Sequence, residues 1–179
     1  MKKRLRRLLP DSTVLHQYRW MRPFAATLGH PALWRFNGHG IAGGVAVGLM
    51  CGLIPGPFQM LPSAILCLIF RVNLPVALFT TLYTNPLTIV PIYLAAYGVG
   101  CWLLGIEPGY FGVPPQWGDT PFQVWFHAMV DWGLGLGYPL VLGLGVFAVL
   151  FPIAGYVLVR VGWRIWLIQR WNRRHRRKR

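Results

Sequence analysis

The residues able to do polar chemistry are few, and apolar sequence surrounds them. Gln59 and Ser63 stand one helical turn apart; Thr81, Thr84, Asn85 and Thr88 recur at turn spacing; Arg71 and Asn73 lie between the two groups. Amides, hydroxyls and one guanidinium in such surroundings suit recognition of an anionic headgroup or solute, so these eight residues form the candidate substrate-binding set. They are equally suited to bonding one another across packed helices. Arg71 is read first as an anchor at the cytoplasmic interface, because a lone Arg at a bilayer centre costs about 2.5–3.5 kcal/mol. No acid lies within 12–106 to pair with it, and phosphate-headgroup binding is compatible with an interfacial position.

Catalytic chemistry finds little to work with. The chain has no phosphate-binding glycine loop before a Lys-Ser/Thr, no HExxH, no GxSxG and no CxxC, and its serines are Ser12 and Ser63. His127 and Asp131 stand four apart, but two ligands do not make a metal site. His39 reads as an ordinary interfacial residue. A protein that is not an enzyme, with no cofactor and no metal, is the expectation.

The elements that must position the polar set are apolar helices. The 179 residues are 55% hydrophobic and 12% charged, against the roughly 25% charged usual in soluble domains. Stretches 40–70, 72–106 and 132–159 carry no charge, and each exceeds the ~20 residues a helix needs to cross a bilayer. Cys51, Cys67 and Cys101 are odd in number and lie in apolar runs, which excludes a secreted disulfide framework. A cleavable signal peptide is not expected, since the first apolar run begins near residue 40. The fold class expected is an all-α, polytopic membrane protein with short, Pro-broken helices or re-entrant hairpins.

The breaks are legible. Gly40–Ile54 makes a helix of about 22 Å, short of the ~30 Å hydrocarbon core. Pro55, Gly56 and Pro57 then interrupt it before the shorter Met60–Phe70. This pair reads as a re-entrant hairpin or as two short spans. Within 72–106, Asn85-Pro86 predicts a fresh helix start, giving either one broken span or a half-helix 74–84 followed by a span 86–104. Gly133–Val159 predicts one full span. Gly40, Gly44, Gly48 and Gly52 place a bare stripe on one helix face for close packing, and Gly133, Gly135, Gly137, Gly143 and Gly145 add a second small-residue region.

Charge sets the expected orientation. Residues 1–39 carry net +7, 160–179 carry +9, and 107–131, with Glu107, Asp119 and Asp131, carry −3. Basic flanks stay on the cytoplasmic side, which predicts both termini cytoplasmic in a multi-pass bacterial inner-membrane protein. The domains expected are a basic interfacial segment 1–39, a membrane domain 40–160 and a basic tail 161–179. Expected partners are membrane lipids, anionic by charge complementarity, and a second copy of the chain through the glycine faces. The Arg-rich tail beside a span points to lipid rather than nucleic acid.

The run from Gly40 through Gly48 to Pro55-Gly-Pro-Phe-Gln59, then Arg71-Val-Asn73-Leu-Pro75, then Thr84-Asn85-Pro86-Leu-Thr88-Ile-Val-Pro91-Ile-Tyr93 and Gly98/Gly100, resembles the bacterial membrane family called domain of unknown function 2062. The resemblance covers about residues 20–165. It implies a small envelope protein, of a kind sometimes appended to glycosyltransferase domains, and brings no activity with it. A small permease, or a protein translocating lipid or an anionic solute, is the function expected. The alternative is a non-transporting scaffold or accessory subunit for envelope biogenesis.

Overall fold

The computed structural model describes residues 31–34, 36–109, 112–116 and 121–176; most of the basic segment 1–39 lies outside them. Among the described residues every regular element is helical. A 3-10 turn Pro31–Trp34 precedes α1 (Gly38–Cys51); a second 3-10 turn, Pro57–Gln59, leads into α2 (Met60–Phe70). Then come α3 (Leu74–Thr81), α4 (Ile89–Leu104), α5 (Phe122–Gly135) and α6 (Gly137–Arg176).

Local chemistry sets the boundaries. Asn37 caps α1, its Oδ1 accepting from the Gly40 N–H at 2.6 Å, and Asn73 caps α3 by accepting from Val76 N–H at 3.0 Å. Pro75 falls in the first turn of α3, where a missing N–H costs no helix bond. Arg71 ends α2 in the left-handed region at φ 53°, and Val72 N–H closes back on Cys67 O at 3.2 Å. That is a Schellman closure with Arg where glycine is the usual residue.

Two expected boundaries move. α4 begins at Ile89 rather than Pro86, because a helix started at Pro86 would put Pro91 in its second turn, without a donor for Leu87 O. Begun at Ile89, the helix has Pro91 in its first turn. Asn85 instead caps a lead-in turn, its Oδ1 accepting from Leu87 N–H at 2.9 Å and Thr88 N–H at 3.1 Å. Likewise, the span expected from Gly133 is divided. Gly137 takes φ 64°, a conformation that suits glycine, and separates α5 from α6.

α6 is the spine. At 40 residues it is about 60 Å long. Among the described residues its segment Gly137–Trp171 is the one helix long and apolar enough to cross a membrane. Only 17% of its most apolar window is buried, unlike the core helix of a soluble protein. α1 and α4 line up along it one after the other. On one half, Gly38 lies under the Trp163 ring and Gly155 meets Leu49; on the other, Gly143 meets Ala96 and Gly100 meets Pro139. Two apolar cores follow the same division. One joins Val47, Cys51, Cys67, Val72 and Ala77; the other joins Tyr93, Ala96, Cys101, Trp125, Met129 and Leu140.

The glycine stripe of α1 is the surface on which α3 rests. A Cβ on Gly44 would lie 2.6 Å from the Asn73 carbonyl oxygen, and one on Gly48 would lie 2.5 Å from that of Ala77. Gly52 faces the Tyr83 ring, and Gly40 O accepts from Asn73 N–H at 3.1 Å. The face expected to pair two copies of the chain is therefore occupied by the chain itself. The α4–α6 crossing is equally close, with Gly100 and Gly143 each against the partner helix's backbone. Gly98 and Gly145, on the same two helices, have open space around them. Gly143→Leu is expected to destabilise the fold by about 3 kcal/mol or more, through overpacking against an immovable backbone. Gly145→Leu should leave it unchanged, and thermal unfolding of the two purified variants separates the cases.

Candidate functional site

A helix ends with carbonyls that no residue of the same helix can serve. α1 ends among apolar residues at a level between Gly143 and Gly155 of α6, near the middle of the uncharged stretch 137–159. Every carbonyl from Gly48 to Ile54 nevertheless has a donor. Gly48 O, Met50 O and Cys51 O are served by the N–H groups of Gly52, Leu53 and Ile54. Tyr83 OH donates to Leu49 O and Tyr93 OH to Leu53 O, each at 2.9 Å. Thr84 Oγ1 donates to Gly52 O. Gln59, with its amide nitrogen turned inward, donates to Ile54 O at 3.2 Å and lies 3.0 Å from Thr84 Oγ1.

The side-chain donors come from the two breaks and, for Leu53 O, from Tyr93 of α4. Gln59 ends the turn after Pro55-Gly56-Pro57, and Tyr83 and Thr84 end the run that follows α3. Gly56 makes the first turn possible at φ 76°, with Phe126 of α5 packed where a Cβ would be. Phe58 meets the same ring at 6.1 Å, so α5 covers the break.

The eight candidate binding residues do not converge on one spot. Gln59, Thr81 and Thr84 gather at the mid-height break, all buried, with Thr81 Oγ1 donating to Leu78 O at 2.8 Å. Ser63 is fully buried within a turn of Cys67 and makes no conventional hydrogen bond among the described residues. Asn73 is buried at the far end of α3, tying it to the start of α1. Asn85 is exposed, and Thr88 is half-buried, donating to Tyr83 O at 2.6 Å. Arg71 is exposed at the end of α2. Tyr83 and Tyr93 were absent from the sequence-derived set because, in an apolar run, a tyrosine carries no sign of where its hydroxyl will reach. The same holds for Tyr156, whose hydroxyl lies 3.1 Å from His39 Nδ1 across α1 and α6.

Two substitutions follow from these contacts. Gln59→Leu strands the Ile54 carbonyl and is expected to cost about 1–3 kcal/mol of stability. Arg71→Gly relieves a left-handed backbone and is expected to stabilise by about 1 kcal/mol. Chemical or thermal unfolding of the purified variants measures both.

No curated protein and no solved structure matches the chain. A family model does match, over residues 21–172. That span contains every described helix up to the last turn of α6, the glycine face, both breaks and the carbonyl-serving side chains. The chain therefore belongs to the family described as "Uncharacterized protein conserved in bacteria (DUF2062)".

Proposed function

We propose that this is a multi-pass protein of the bacterial inner membrane that moves an anionic lipid or solute between its two sides. In this reading α1 and α2 form a half-depth hairpin entered from the cytoplasmic face. α3 and α4 make one interrupted crossing, and α6 returns through the whole bilayer. Both basic ends then lie in the cytoplasm, and the segment with Glu107, Asp119 and Asp131 lies opposite. The poorly buried apolar window of α6 supports a lipid surround, and the full provision for carbonyls Gly48–Ile54 suits a site without water.

The observation that carries the function is where the breaks meet. Two interrupted helices bring Gln59, Thr84, Tyr83 and Tyr93 together near the level of Phe151 of α6, the arrangement by which discontinuous helices place polar groups at a bilayer's centre. Exchangeable side-chain hydrogen bonds there offer a passing headgroup partners that lipid cannot. A second reading, a non-transporting scaffold, draws on the same contacts, since each of those four side chains is already bonded within the chain.

The test uses the full chain in vesicles of phosphatidylcholine holding a trace of headgroup-labelled fluorescent phosphatidylglycerol. A membrane-impermeant reductant bleaches the outer leaflet alone unless the lipid crosses. The expected outcome is bleaching well beyond the outer leaflet with the native protein, and its loss in Gln59→Leu and Asn85→Leu variants that still insert and elute as the native protein does. Bleaching confined to the outer leaflet with the native protein would leave the scaffold reading.

A further inference from the structure

Away from the break, α1, the end of α2 and α6 border an open-sided cavity of about 290 Å³, just below the roughly 300–1,000 Å³ usual for small-ligand pockets. Its walls are apolar, formed chiefly by Val47, Met50, Phe70, Val72 and Pro152. His39 and Tyr156 also line it, and their polar atoms meet at 3.1 Å with the rings edge to face. The cavity is thus greasy along its length, with a single polar pair.

The charges around it share one sign. Arg71 stands between the lining residues Phe70 and Val72, and Arg160 follows Tyr156 by one turn of α6. Both arginines are exposed. Among the described residues the acids are Glu107 and Asp131, beside α4 and on α5, and neither helix contributes to the lining. Nearby, Trp163 covers Gly38 and Trp166 packs against Trp163 at 5.5 Å, indoles of the kind that favour the headgroup zone.

The geometry points to a binding site for one acyl chain of an anionic phospholipid, its phosphate held among His39, Tyr156, Arg71 and Arg160. The inference deepens the proposed function by naming where the lipid is held, and it rests on that reading's membrane placement but not on translocation. An apolar slot with one polar pair and neighbouring cations matches a lipid's division into tail and charged head. A soluble anion would have no use for the slot, and a neutral lipid would have no use for the arginines.

The test places the full-length protein in phosphatidylcholine nanodiscs containing a small fraction of phosphatidylglycerol with a photoreactive diazirine on its tail. After irradiation, mass spectrometry of peptides locates the adducts. Adducts are expected to concentrate on the segments around Met50, Val72 and Pro152–Tyr156. Unlabelled phosphatidylglycerol should displace them, while extra phosphatidylcholine or inorganic phosphate should not. Ala46→Phe, which fills the cavity from its wall, should reduce these adducts several-fold. The pair Tyr156→Phe with Arg160→Gln, which keeps the ring at 156 in place, should abolish the preference for phosphatidylglycerol. Adducts spread evenly over the outer faces of α2 and α6, equal displacement by phosphatidylcholine or phosphate, or indifference to both variants would overturn the site. Recovery of the protein outside the membrane fraction would instead overturn the placement on which it rests.

Discussion

Carbonyl oxygens left without partners at the end of a helix govern this architecture. α1 stops after 14 residues among apolar side chains, and its end leaves a row of acceptors that the chain itself serves. Serving them requires the polypeptide to come back to the same level twice. It does so first through the turn that ends at Gln59 and again through Tyr83, Thr84 and Tyr93, on either side of the break after α3. The up, back and up again course of α1, α2 and α3 is thus the geometry that satisfies the backbone as well as a way to bury apolar surface.

Such short helices need outside support. An isolated helix of eight residues, the length of α3, does not hold in water. α3 is held because the glycine face of α1 lets the two backbones approach, which replaces the missing length with many close contacts. The Gly100–Pro139 and Gly143–Ala96 approaches do the same for α4 against α6. The molecule is consequently built as two packed halves along one long helix, and the hydrogen-bonded break lies where they meet.

Much of this was readable in the residues. Proline and glycine act locally, so Pro55-Gly56-Pro57 marked the first break, and four glycines in register marked the face of α1. The all-α class followed from the uncharged runs. Elsewhere, nonlocal contacts decided the outcome. Asn85-Pro86 looked like a helix start, but Pro91 five residues later moved the start to Ile89. The polar residues looked like one patch, yet Asn73 fixes α3 to the first turn of α1 while Gln59 and Thr84 serve its end, at opposite ends of that helix. Tyrosine hydroxyls that bond carbonyls 34 and 40 residues away leave no local trace.

The glycine register of α1 also bears on how the gene can change. Adding one residue anywhere between Gly40 and Gly52 would rotate everything beyond it by about 100° around the helix axis. Bulky neighbours would then face α3, and the carbonyls at the helix end would swing away from their donors. The described residues 106–109 and 112–116 form no helix and have no such phase to keep. Length variation among relatives should therefore accumulate there, with the first helix keeping its residue count even where its side chains drift.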